Sequence, residues 1–278
     1  MMMKIGLVTD STSDMPVDLT ERYQIEVVPA ILVMGEQSYT DGEGLSREEF
    51  YNRLPAMVDP PTTAAPSVGS FQEKYEKLLR SGVDQILSIH PPAILSGIFN
   101  AARLAAESFG TRVHVLDSGQ ITMGLGFQVL SAAERIARGA FMDEVLERVA
   151  DVRKRISVVA LLDTLEYLRR SGRVSWAKAM IGGFLNLKLL IGLHEGIVER
   201  LGQTRTYRQG FTNLCEMISD LGPLERLAIL HTNAEERAQQ LIAELKPTPS
   251  ISYLIVNVTT VIGTHVGPNG LGFVAVRS

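Results

Sequence analysis

The chain has 278 residues, 45% of them hydrophobic, enough for one large domain or two ordinary ones with real cores. A formal charge of −4 and a pI near 5.8 argue against a nucleic-acid partner, which calls for a basic face, and no dense Lys/Arg cluster marks a membrane-surface patch. A lone cysteine, Cys215, excludes intramolecular disulfides and thiolate-rich zinc sites; within the helical pattern "FTNLCEMISDL" it reads as a small buried apolar residue.

The opening "MMMKIGLVTD" enters a strand at once, so no signal peptide is expected and a reducing, cytoplasmic setting fits. Residues 4–10 form an apolar run too short for a helix and predict a buried strand. "PVDLTERY" predicts a helix with Pro16 near its first position, and "IEVVPAILVMG" a second strand-like run. "SREEFYNRL" opens with a capping box, Ser46 and Glu49. A loop through "PPTTAAPSVG" leads into a helix capped by Ser67 and ending near Gly82. "VDQILSIH" and "TRVHVLD" are strands separated by a helix that Gly110 closes, and "QITMGLGFQVLSAAERIARG" is helical.

Strand–helix alternation up to about residue 150 predicts a mostly parallel sheet covered on both faces. Asp10-Ser11, His90-Pro91 and Asp117-Ser118 follow strands, where ligand crevices of such sheets lie. Beyond that point "ISVVALLD" is a strand, and helical stretches run through "LEYLRRSGRVSWAKAMIGGFLN". The longest apolar run, "MIGGFLNLKLLIGL", holds Asn186 and Lys188 and is too short and too polar to span a bilayer, so no stable membrane insertion is expected. "LKLLIGLHEGIVERLGQTRTY" is a hairpin turning at Glu195-Gly196, and "ERLAILHT" a strand. Asn233 and Glu236 are expected to cap a helix, and "SISYLIVNVTTVIGTH" and "GLGFVAVR" to finish as two strands. The expectation is an α/β protein of two units, 1–150 with a mostly parallel sheet and 151–278 with a mixed one.

Common catalytic spellings are missing: no phosphate loop G-x-x-x-x-G-K-[ST], no H-E-x-x-H, no G-x-S-x-G. "GPNGLG" lacks the dinucleotide-binding order and precedes a strand near the C-terminus. Three small polar sites remain. Thr63 and Ser96 precede helices, whose unpaired N–H groups favour an anion, and hydroxyls donate to a carboxylate without adding charge. His265 stands at the head of the Gly-Pro-Asn-Gly turn in "GTHVGPNGLGFVAV", a stretch read as strand, turn, strand. Each has a plainer alternative: Thr63 a loop residue, Ser96 a helix cap, His265 a turn residue facing water. Arg205 equally reads as a solvated strand residue.

Taken in order, "IGLVTDSTSD", "VVPAILVMGEQSYTDG", "TTAAPSVGSF", "LSG", "HVLDSG", "DTLEYLRRSGRVS", "LNLKLLIGLHEGIVERLGQTRT" and "THVGPNGLG" resemble the DegV family over nearly the whole chain. Its better-understood members are the fatty-acid-binding (FakB-type) subunits of bacterial fatty acid kinase, which feed phospholipid synthesis. The resemblance implies a two-domain α/β architecture and a non-catalytic protein. In such a protein Thr63, Ser96 with Gly97, and His265 converge on the carboxylate of a long-chain fatty acid. It also implies a dihydroxyacetone-kinase-like partner that makes the acyl phosphate, with Arg205 and, more weakly, Arg173 facing it. No metal or cofactor is implied beyond the bound lipid. Alternatives are a lipid store or sensor without a kinase, and an acyl hydrolase built on Ser96, His265 and Asp10. Ala64, Ala65, Pro92, Ala93 and Ile98 stand where the family pattern is polar, and Leu189 where it often has proline, which makes the head-group rim less polar.

Overall fold

The computed structural model describes residues 3–179, 187–246 and 253–278. The chain forms two compact units, one from residues 1–31 and 63–155, the other from residues 32–62 and 156–278. The segment 32–62, which the sequence pattern joins to its N-terminal neighbours, therefore groups with the C-terminal half.

The first strand, β1 (Ile5–Asp10), is buried along its whole length, as a central parallel strand must be. Helix α1 (Val17–Arg22) and strand β2 (Glu26–Val28) follow. The run read as one strand breaks at Pro29-Ala30, because proline offers no ladder N–H. It resumes as β3 (Ile31–Met34), which belongs to a different sheet together with β4 (Gln37–Thr40). Helix α2 (Arg47–Arg53) starts at Ser46, whose hydroxyl accepts the Glu49 N–H at 3.1 Å. Strand β5 (Thr62–Ala64) completes the small sheet of order β4-β3-β5, and the chain passes between the units within β3 and β5.

Helix α3 (Val68–Arg80) is capped by Ser67 and buries Phe71, Tyr75 and Leu78 at helical spacing. Then come β6 (Gln85–His90), α4 (Ile98–Ala106), β7 (Val113–Asp117), α5 (Thr122–Ala137) and α6 (Met142–Arg155). The sheet of the first unit has order β2-β1-β6-β7, with every pair parallel. Ile5, Leu7, Leu87 and Ile89 from its strands pack with Leu125 and Val129 of α5 and Val145 of α6.

The second unit continues with β8 (Ile156–Leu162), α7 (Glu166–Ser171), α8 (Ser175–Ala179), β9 (Lys188–His194) and β10 (Ile197–Thr204). Residues 180–186 of the expected helical stretch and apolar run, and residues 250–252 of an expected strand, lie outside the described residues. The β9–β10 hairpin turns at Glu195 and Gly196, both with positive φ (47° and 79°), as the Glu-Gly pair suggests. After it come α9 (Tyr207–Ser219), β11 (Leu224–His231), α10 (Glu235–Leu245), β12 (Tyr253–Asn257), α11 (Thr260–Val266) and β13 (Leu271–Arg277). The six-stranded sheet has order β10-β9-β8-β13-β11-β12 and is antiparallel except for the β11–β12 pair. The mostly parallel and mixed sheets are the ones expected.

Two local expectations are corrected. Asn233 does not cap α10: it sits at φ 54°, the N-cap is Ala234, and the Asn233 carboxamide donates to Asn52 Oδ1 at 3.0 Å instead. The stretch "TVIGTHV" is helix α11 rather than strand, so His265 lies in a last helical turn and not at a hairpin. Strand β11 separates β12 from β13 in the sheet.

Candidate functional site

In the first unit the parallel strands β1 and β6 end on Asp10 and His90. Asp10 caps the turn Ser11–Ser13, its Oδ1 accepting from the Thr12 N–H at 3.0 Å and the Thr12 hydroxyl at 2.5 Å. Its Oδ2 lies 2.7 Å from His90 Nδ1. A carboxylate only accepts, so the network assigns the proton to Nδ1 and leaves Nε2 to accept from the Ser88 hydroxyl at 2.6 Å. Tyr75 closes the chain, its hydroxyl 2.8 Å from Ser88 Oγ. All four side chains have no solvent exposure, and burial pushes the Tyr75 phenol up to about 12. The bonding order is that of a Ser-His-Asp triad, yet Ser88 is engaged by Tyr75 and Phe71 packs edge-on against the imidazole at 5.1 Å. This buried strut was not read from the sequence. It also engages Asp10, the candidate third member of the hydrolase alternative.

The strut fixes the loops at the carboxyl ends of the sheet. The His90 carbonyl accepts from the Ser118 N–H at 2.9 Å and the Ser118 hydroxyl at 2.8 Å, and the Ala93 N–H donates to Asp117 Oδ2 at 3.0 Å. Within the loop the Leu95 and Ser96 N–H groups both turn back to the Pro92 carbonyl, at 2.9 and 3.1 Å. Ser96 Oγ accepts the Ile98 N–H at 3.2 Å from one position ahead of the helix N-cap, which is Gly97, and a hydroxyl that accepts in this way still has a proton to donate. A Cβ built on Gly97 would lie 3.6 Å from the Ala65 side chain, which puts the Thr63–Pro66 loop in contact with the Ser96-Gly97 turn. Thr63 and Ser96 are both half-buried.

In the second unit His265 hangs from α11. Thr259 caps that helix, accepting the Val261 N–H at 3.4 Å. Gly267 ends it at φ 81°, ψ 176°, a region open essentially to glycine alone, with the Tyr167 ring where a Cβ would go (2.2 Å). The following turn is fastened to the end of β11. The Asn269 N–H donates to the Thr232 carbonyl at 2.8 Å, the Gly270 N–H to Thr232 Oγ1 at 2.7 Å, and Arg237 Nη1 to the Asn269 carbonyl at 2.7 Å.

His265 and Arg173 share a cavity of about 400 Å³ with Leu54, Met57, Pro61 and Tyr167. Burial pushes the His265 imidazole down to about 4, and the Arg173 charge acts in the same direction. The ring is therefore neutral near pH 7, with one nitrogen to donate and one to accept. Arg173 Nη1 donates to the Ser171 carbonyl at 2.6 Å. Arg205 is exposed between β10 and α9, and the cavity lining does not include it. Thr63, Ser96 and Gly97 thus fall in the first unit, and His265, Arg173 and Arg205 in the second.

Among the described residues no helix is long and apolar enough to cross a membrane, and no group of His, Cys, Asp and Glu gathers to hold a metal ion. Residues 4–278 match the family model described as "Uncharacterised protein, DegV family". A DegV domain-containing protein of Streptomyces coelicolor is 36% identical over 97% of both chains. The structure of a DegV family protein from Thermus thermophilus, reported for its fatty acid binding, superposes with a TM-score of 0.92 and 32% identity, covering 99% of this chain and 100% of that one. DegV from Bacillus subtilis, solved as a fatty acid binding protein, gives 0.89 and 30% with the same coverage.

Proposed function

Because this chain belongs to the DegV family, we propose that it binds a long-chain fatty acid and presents the carboxylate to a separate kinase subunit for acyl-phosphate formation. The observation that carries this reading is the cavity in which a neutral imidazole, His265, and the Arg173 guanidinium sit beside an apolar wall. Thr62, the residue before Thr63, lines the same cavity. The fatty acid binding reported for relatives at 30% and 32% identity supports the ligand class.

In this reading the hydroxyls of Thr63 and Ser96, the turn at Gly97 and one imidazole N–H hold the carboxylate. These hydroxyl and imidazole donors orient the carboxylate without adding positive charge to that of Arg173 in the same cavity, and leave one oxygen to attack phosphorus. Affinity comes mainly from the tail: at ~0.8 kcal/mol per methylene, a chain of about fifteen methylenes offers roughly 12 kcal/mol gross, before ordering and association costs. Nucleotide and metal belong to the dihydroxyacetone-kinase-like partner, and exposed Arg205 is the docking residue. Mass spectrometry of lipid extracted from purified protein tests the assignment. Wild type should yield a long-chain fatty acid and His265→Ala much less; equal occupancy in the variant defeats the head-group role of His265.

A further inference from the structure

The segment Asp41–Asn52 grips the chain immediately ahead of α11, more than 200 residues away. Asp41, on the turn after β4, is buried, and its carboxylate accepts from two adjacent hydroxyls: Thr260 Oγ1 at 2.9 Å on Oδ1, and Thr259 on Oδ2. Tyr51 donates to the Val258 carbonyl at 2.9 Å, and Arg47 to the Asn257 carbonyl. The Tyr51 ring also lies against Gly263, where a Cβ would come within 2.3 Å of its hydroxyl. The two threonines are the cap and first residue of α11, and His265 is five positions further on, about 7.5 Å along the axis at 1.5 Å per residue. A seven-residue helix has little stability of its own, so where its start is pinned decides where its last turn points.

We propose that Asp41 is a positioning residue for His265. Its carboxylate clamps Thr259 and Thr260, sets the origin of α11, and so holds the imidazole in the cavity where the ligand carboxylate would be met. The proposal rests on the fatty-acid reading for its functional consequence but not for the clamp. The chemistry suits a fixed anchor. One carboxylate satisfies two hydroxyl donors with charge-assisted bonds, stronger than neutral ones, and both threonines are almost wholly buried, so water offers no easy replacement.

The test is the NMR titration of His265 in lipid-free protein, alongside retention of ¹³C-palmitate. Thr260→Val is near-isosteric and removes one donor; Asp41→Asn keeps two acceptor or donor positions; Asp41→Ala removes the clamp. The His265 midpoint should rise from about 4 toward its ordinary value near 6.5, least in Asp41→Asn and most in Asp41→Ala. Palmitate retention should weaken in the same order, roughly tenfold for Thr260→Val. An unmoved midpoint in Thr260→Val and Asp41→Asn overturns the proposal even if both variants melt earlier, since a purely structural bond would lower stability without relocating the ring. A raised midpoint with undiminished palmitate retention upholds the clamp and counts against His265 as a head-group ligand. Should Asp41→Ala not fold, the two milder variants decide.

Discussion

Asp10 in the first unit and Asp41 in the second are both buried carboxylates at strand ends, and each fastens a loop or helix that carries a candidate ligand residue. They differ in what they hold. Asp10, at the end of β1, meets the imidazole of His90 at the end of β6, the parallel strand paired with it. Asp41 meets two hydroxyls at the start of a short helix whose sequence does not favour helix. The first carboxylate belongs to the stability of the scaffold; the second governs the placement of one side chain.

One substitution at the first carboxylate's partner and one at the far end of α11 separate these roles. His90→Ala would leave Asp10 buried beside an empty space and Ser88 without its acceptor, and should cost about 3–5 kcal/mol in urea unfolding. A loss below about 1 kcal/mol would mean that Asp10 finds water or another donor there. Gly267→Ala attacks the other end of α11. The backbone conformation and the Tyr167 ring both oppose a methyl group, and a loss of roughly 2–4 kcal/mol is expected, with Tyr167→Ala relieving the steric part when combined with it.

A third effect is a slope with pH. His265 is held near 4 in the folded protein against about 6.5 when unfolded. Between those values the unfolded chain takes up a proton that the folded chain refuses. The stabilisation is therefore complete above pH 6.5 and is lost as pH falls toward 4. His265→Phe should flatten melting temperature against pH in that window. Some slope of the same sign should remain from His231, which burial also lowers. A variant with the full wild-type slope would show that His265 titrates normally.

Much of the framework was legible because local signals agreed with the final structure. The runs at 4–10, 85–90 and 113–117 are short, apolar and bounded by polar turns, and Glu195-Gly196 announces its hairpin. Ser46 and Ser67 cap the helices they precede. What failed was set by distant partners. "VNVTTVIGTH" is rich in β-branched residues and reads as strand; its second half becomes α11 where Asp41 and Tyr51 supply acceptor and donor from segment 32–62. Asn233 has the chemistry of a cap but spends its side chain on Asn52. The roles of Asp10, Ser88, His90 and Tyr75 were equally hidden, since periodicity shows which residues are buried but not which polar atoms will meet.

The bond from Thr260 to Asp41 spans 219 positions, and its consequence reaches back to synthesis. A ribosome delivers every residue of the first unit before it delivers α11, so that unit has its full complement of strands while residues 32–62 still await most of their own unit. A chain that ends after residue 41 and before residue 259 retains Asp41 without either threonine and lacks His265. The anchor of α11 thus forms only once residues 259 and 260 have been made, and a product ended before them but after the first unit would carry the strands of the first sheet without His265.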